Sequence, residues 1–312
     1  MINHIPVLKE ESIKSLCVNK SGIFIDATFG SGGHSKEILN YLNNDAKLFA
    51  IDKDLNAIHN AEKNILKDKR FTLKHGCFSS LDVISKDWGI HGSVNGILFD
   101  LGVSSEHIDN PERGFSFKND GPIDMRFDQN SGSPARKWIS EVSETLLRDV
   151  IKKFGQERYA SKIAHKIITD RKVNKIENTY DLVNIINQSI PKNEKNKHNA
   201  TRTFQAIRIH INQELEVLRK ALEKSYKILA PRGRLVLITY HSLEDKVIKD
   251  FIIMTDTNLS TPKDLPLDKK FLKKMFNVIS KSIKPTENEI LNNSRSRSAK
   301  LNILEKCDEN IG

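Results

Sequence analysis

The chain has 312 residues, enough for one large domain or two smaller ones with ample core, and carries 50 Lys and Arg against 40 Asp and Glu, a net charge of +10. Such a basic excess suits a phosphate-rich partner, although a solvated basic surface has the same composition. Cys17, Cys77 and Cys307 lie far apart with no C-x-x-C pair, and no apolar run approaches the ~20 residues of a bilayer span. These features argue against a disulfide framework, a zinc site or a membrane anchor, and predict a cytoplasmic protein.

In chain order, residues 22–28 read as a buried strand that runs through Gly30-Ser31-Gly32-Gly33 into a helix over 35–42, and a second strand over 47–52 ends in Asp52. Glycines in such a turn let a ligand approach the backbone, and an acid at the next strand end accepts from ribose hydroxyls, so the unit predicts a nucleoside cofactor. A dinucleotide asks for G-x-G-x-x-G, but the third glycine position holds Ser35. Asp26, four residues before Gly30, sets a negative charge where a diphosphate would lie. Both features disfavour NAD and favour S-adenosylmethionine, which has a sulfonium and an ammonium but no phosphate. A tight turn without ligand is the alternative for the glycines alone.

A helix over 55–66 and strands over 71–78 and 94–101 continue the alternation, which specifies a parallel sheet with right-handed crossovers. The fourth strand ends in Asp100, at the carboxyl edge where ligands gather in such sheets. From about Glu106 to about Ala200 the strand signal disappears. Helices are predicted from Ser143 to Gly155, over 159–168 and over 182–190, with a mobile polar loop at 192–198. One long helix then carries Phe204, Ile207, Ile211, Leu215, Leu218, Leu222, Tyr226 and Leu229 in a stripe expected to pack on the sheet. A fifth strand over 234–240 leads into His241-Ser242-Leu243-Glu244-Asp245, and strands near 277–282 and 300–304 are expected to close the sheet as a hairpin.

With Thr28-Phe29-Gly30-Ser31-Gly32-Gly33-His34-Ser35, Asp100-Leu101-Gly102-Val103-Ser104-Ser105, Pro111-Glu112-Arg113-Gly114-Phe115-Ser116-Phe117, Asp120-Gly121-Pro122-Ile123-Asp124-Met125-Arg126, Thr201-Arg202-Thr203-Phe204-Gln205-Ala206, His241-Ser242-Leu243-Glu244-Asp245 and Ser294-Arg295-Ser296-Arg297-Ser298-Ala299-Lys300-Leu301 in order, the chain resembles the bacterial 16S rRNA (cytosine-N4)-methyltransferase family, RsmH, formerly MraW. The resemblance is collinear over nearly the whole length. It implies an α/β class I S-adenosylmethionine-dependent methyltransferase, with a Rossmann-like, seven-stranded, mostly parallel sheet. The methyltransferase domain would comprise 1–105 and 201–312, with a helical substrate-recognition domain inserted at 106–200. It also implies methyl transfer to N4 of a decoding-site cytidine of 16S rRNA, within the small ribosomal subunit. Carried onto matching positions, the cofactor contacts are Gly32, Gly33, His34, Asp52, Phe78, Asp100 and His107. Two positions depart from the family pattern: His107, where glutamine is frequent, and Arg232, where glycine is usual, in a surface turn expected to tolerate it.

The N4 lone pair is delocalised into the cytosine ring, so acceptors for the amino protons would make it more available, and in-line positioning does the rest. The Asp/Asn/Ser-Pro-Pro-aromatic motif of familiar amino-methyltransferases is replaced by Asp100-Leu101-Gly102-Val103. Asp100 and the following carbonyls are therefore the candidate acceptors, with cofactor holding as the other role for Asp100. Phe78 reads as a wall of the adenine pocket or as strand-end core. His241 reads as a contact to the target base or as a helix cap. Asp124 and Arg126 read as a phosphate contact or as a local ion pair. Arg202, Arg208, Arg295, Arg297 and Lys300 are phosphate candidates as a group. No metal spacing is present, and no metal is expected. A base inside folded rRNA must leave its stack to react, so a flipped cytidine is predicted in a cleft between sheet and lobe. A DNA or other-RNA cytosine-N4 methyltransferase and a non-catalytic RNA-binding assembly factor are the competing readings.

Overall fold

The computed structural model describes residues 6–191, 198–256 and 274–308. Seven strands, β1 (Ile23–Asp26), β2 (Lys47–Asp52), β3 (Phe71–His75), β4 (Val94–Asp100), β5 (Leu229–Thr239), β6 (Phe276–Ile283) and β7 (Lys300–Lys306), form one sheet in the order β3-β2-β1-β4-β5-β7-β6. The first five in that row are parallel. β7 runs antiparallel between β5 and β6. This is the class I methyltransferase arrangement that the resemblance implied. The sequence specifies it locally: Ile23-Phe24-Ile25-Asp26 and Ile97-Leu98-Phe99 are nearly continuous apolar runs, as strands covered on both faces require.

The helices in chain order are α1 (Lys9–Leu16), α2 (Gly33–Tyr41), α3 (Leu55–His59), α4 (Lys63–Leu66), α5 (Leu81–Asp87), α6 (Ser105–Asp109), α7 (Ala135–Glu141), α8 (Glu144–Gly155), α9 (Ala160–Asp170), α10 (Thr179–Ser189), α11 (Ala200–Asn212), α12 (Glu214–Ile228), α13 (Ser242–Met254) and α14 (Glu287–Asn292). Among the described residues, no helix is long and apolar enough to cross a membrane. Two compact units result, one from Met1–Gly102 with Leu215–Gly312, the other Val103–Glu214. The first is built on the sheet; the core of the second gathers Leu147, Ile151, Ile163, Ile167, Leu182 and Ile186 from α8, α9 and α10.

Three sequence expectations are corrected. The third strand stops at His75, not Phe78, because Cys77 accepts from Ser80 N–H and Phe78–Ser80 closes a 3-10 turn. The helix over 55–66 is two short helices, α3 ending on Asn60. The long helix after Ala200 is broken at Gln213, whose φ of 52° cannot propagate a right-handed helix. No glycine or proline marks that break. As a result Phe204 and Ile207 pack into the helical unit's core rather than on the sheet, and that unit extends past Ala200 to Glu214. Of the polar run at 192–198, residues 192–197 lie outside the described residues.

Candidate active site

The chemistry-bearing groups of the sheet unit collect at the carboxyl ends of β1, β2, β4 and β5. The glycine turn starts there. Gly32 caps α2 at φ 79°, and a Cβ on it would lie 2.8 Å from the Phe29 ring, so the turn demands glycine twice over. Gly33 opens the helix. Asp52, at the end of β2, is half-buried; its Oδ2 accepts from Gly30 N–H at 2.7 Å and its Oδ1 from Asp54 N–H at 2.8 Å. Strand two thereby fixes the glycine turn of strand one, and two amides aim the carboxylate.

Asp26 is fully buried. Its Oδ2 accepts from the Ser35 hydroxyl at 2.6 Å, its Oδ1 from Thr28 N–H at 3.1 Å. Ser35, the residue in place of the third glycine, is thus the donor that makes a buried acid tolerable. Burial raises the Asp26 carboxyl above its ordinary range, against the pull of the Ser35 bond and of His34. This acid organises the turn from inside.

Asp100, at the end of β4, takes its backbone bond from the next turn, its N–H donating to Thr28 Oγ1 at 2.7 Å. Its Oδ1 accepts from the Tyr240 hydroxyl at 2.7 Å, and its Oδ2 lies 3.5 Å from His34 Nδ1. Burial and the Asp100 charge push the Tyr240 phenol well above its ordinary value, so it stays a donor. His34 is buried, with Nε2 3.1 Å from the Val7 carbonyl, and burial lowers its imidazole below the ordinary histidine value despite the neighbouring Asp26 charge. Phe78 is half-buried, its ring edge-on to Phe99 at 5.4 Å. Gly32, Gly33, His34, Asp52, Phe78 and Asp100 therefore belong to one unit and its strand ends. Tyr240, Thr28 and Ser35 were not anticipated: a tyrosine closing an apolar strand and two hydroxyls near a glycine turn carry no signal until the register is known.

The other sequence candidates have local partners. His241 caps α13 through its Nδ1, which accepts from Glu244 N–H at 3.3 Å, while Glu244 Oε2 accepts from Tyr240 N–H and His241 N–H at 2.7 and 3.2 Å. Lys300 meets Asp245, whose other oxygen accepts from Thr239 Oγ1 at 2.6 Å. Arg295 and Arg297 are exposed on a 3-10 turn, Ser294–Ser298, on either side of buried Ser296.

In the helical unit, His107 is buried in α6. Its Nδ1 accepts from Ser104 N–H at 3.1 Å, and its ring packs against Phe115 and Phe127 at 4.8 and 5.1 Å. Asp124 and Arg126 form a two-pronged pair, both nitrogen–oxygen distances 2.8 Å, while Arg126 Nη1 reaches the Ser131 and Gly132 carbonyls at 3.4 and 3.3 Å. Burial pushes the Asp124 carboxyl up, but the Arg126 bonds outweigh it and leave the acid below its ordinary value. Arg208 forks onto Glu214 at 2.8 and 2.9 Å, and Arg202 lies 3.7 Å from Glu157. Arg113, buried and unforeseen, donates to the Arg126 and Phe127 carbonyls at 2.9 and 3.0 Å and so shapes the loop that carries the Asp124 pair.

A family model described as the MraW methylase family matches residues 1–307. A ribosomal RNA small subunit methyltransferase H from Legionella pneumophila (strain Corby) is 46% identical over 306 residues, covering 98% of this chain and 99% of that protein. One of the same description from Buchnera aphidicola subsp. Acyrthosiphon pisum (strain Tuc7) is 47% identical over 308 residues, covering 98% of each. Among solved structures, an rRNA methylase from Streptococcus thermophilus aligns with a TM-score of 0.41 at 13% identity, over 96% of this chain and 94% of that chain.

Proposed function

The chain belongs to the MraW methylase family, and from that premise we propose that it methylates N4 of a decoding-site cytidine in 16S rRNA, within the small ribosomal subunit. It is an S-adenosylmethionine-dependent methyltransferase, and like its curated relatives it acts on small-subunit rRNA. The supporting observation is the end of β4: an acid, Asp100, oriented by Tyr240 beside a glycine turn and an acid-tipped second strand.

The donor set suits this cofactor. Asp52 and Asp100 put two carboxyl groups beside a turn with no third glycine, which opposes a pyrophosphate and suits a sulfonium and an ammonium. Asp52 would accept from the ribose hydroxyls, the backbone of Gly32, Gly33 and His34 would follow the amino-acid tail, and Phe78 would face the adenine. When bound, S-adenosylmethionine supplies the methyl group on an already charged leaving group, so the N4–carbon bond forms as the carbon–sulfur bond breaks and the electron pair stays on sulfur.

The chain's own residues do the rest. Asp100 accepts from the N4 amino group and directs its lone pair, a contact that strengthens as the nitrogen becomes cationic. His241 stands at the end of β5 as the contact to the flipped base. Arg202, Arg295 and Arg297 meet phosphate, so RNA affinity should fall steeply with added salt. Mass spectrometry of 16S rRNA from cells lacking the chain tests the assignment: N4 methylation of the decoding-site cytidine should vanish and return with wild type but not with Asp100→Ala. A cytidine still methylated in the deletion would sink it.

A further inference from the structure

We propose that His34 is the proton acceptor behind Asp100, and that Tyr240 holds the carboxylate in line for the transfer. The inference rests on the N4 reading above, in which the amino nucleophile must shed a proton once the methyl group has arrived.

The tautomer follows from the partners. His34 Nε2 faces the Val7 carbonyl at 3.1 Å, and a carbonyl only accepts, so Nε2 carries the hydrogen. In the neutral ring Nδ1 then has a bare lone pair, and that lone pair faces Asp100 Oδ2 at 3.5 Å. An ionised carboxylate has only lone pairs to offer in return. Two acceptors therefore confront each other inside the protein, an arrangement with one place for one proton. Tyr240 occupies the other oxygen of the same carboxylate as a permanent donor, which leaves Oδ2 as the side of Asp100 that meets the imidazole.

Once N4 has taken the methyl group it is cationic; an N4–H bond breaks, its electron pair returns to nitrogen, and the proton passes to the Asp100 carboxylate and from Oδ2 to Nδ1. Burial opposes the resulting imidazolium and keeps the resting ring neutral, while Asp100 and the charges of Asp26, Glu289 and Glu37 act in the other direction, so the proton is held only in passing. Opening of the site after release of S-adenosylhomocysteine would return the proton to water. His34 is here a residue acting through Asp100, and its backbone is free to serve the cofactor as proposed above.

The test is single-turnover methylation of a 16S rRNA fragment by the intact protein across pH, with His34→Gln and Tyr240→Phe. His34→Gln keeps a donor for Val7 but offers no titrating acceptor. It should lower the maximal rate about 100-fold, the low end for a positioned proton acceptor, and move the acid limb of the profile, with S-adenosylmethionine affinity by calorimetry unchanged. Tyr240→Phe removes one donor from the carboxylate, so its acid limb should move to higher pH and its rate recover under alkaline conditions. Profiles of both variants superimposable on wild type overturn the proposal. Should His34→Gln lose cofactor binding, nitrogen-15 spectra of histidine in the wild-type protein decide: Nδ1 bare at neutral pH is expected, and Nδ1 protonated with Nε2 bare overturns it. Wild-type methylation of any atom other than N4 would instead overturn the functional reading on which the relay depends.

Discussion

In the sheet unit Asp26, Asp52 and Asp100 sit on three strand ends and are bonded by the hydroxyls of Ser35 and Tyr240 and the N–H groups of Gly30 and Asp54. In the helical unit Asp124 and Glu214 are gripped by the guanidinium forks of Arg126 and Arg208. Neutral donors orient a carboxylate and leave its charge to act on something else; a forked guanidinium uses that charge up. The first arrangement builds a site and the second builds a scaffold. Substitutions in the two should therefore fail in different ways.

The largest effect should come from Asp100→Asn. Single-turnover methyl transfer should fall about 10³-fold, while thermal stability and S-adenosylmethionine affinity hold; an equal loss in affinity would make Asp100 a cofactor holder only. Arg126→Met should do the reverse, leaving buried Asp124 without its partner and removing about 3 kcal/mol of stability, read by denaturant unfolding. Asp124 is depressed in the folded state, so its contribution is complete above the ordinary aspartate value of about 3.9 and fades as pH falls through the lower folded value. In the variant that contribution is absent, and the difference from wild type should close at strongly acid pH. Asp52→Ala should weaken S-adenosylmethionine binding by about 2 kcal/mol, roughly 30-fold, in calorimetry. Smallest is Arg232→Gly. Arg232 has φ 61°, in the left-handed region that favours glycine, so the substitution should raise stability by about 1 kcal/mol in thermal unfolding.

The left-handed backbone at Arg232 was not legible, and it shows where sequence reasoning stops. The alternation of apolar runs with helices carried the parallel part of the sheet, because its central strands β1 and β4, covered on both faces, have no choice but to be apolar, whereas β3 and β6 are largely half-buried or exposed and carry a weaker signal. The glycine turn and the acids Asp52 and Asp100 were legible for the same reason: only small residues fit the turn, and a lone acid after an apolar strand stands out. Ser35 was legible only as a missing glycine, since its bond to Asp26 closes around the first turn of α2. Tyr240 was read as the end of a strand, because its partner lies 140 positions away. The break at Gln213 left no mark, as a left-handed glutamine has no compositional signature. Long-range register and backbone handedness are decided by packing, and packing is what a single chain of letters does not print.

β7, the last strand in chain order, is wedged between β5 and β6, pairing Arg234 with Glu305 through Thr239 with Lys300 on one side and Phe276 with Lys306 on the other. During synthesis the first four strands can assemble as soon as they leave the ribosome, but β5 keeps a bare edge until residues 300–306 emerge. Thr239, the residue before the Asp100 tether, pairs with Lys300, so the strand end that carries Tyr240 is completed only when the C-terminal strand docks.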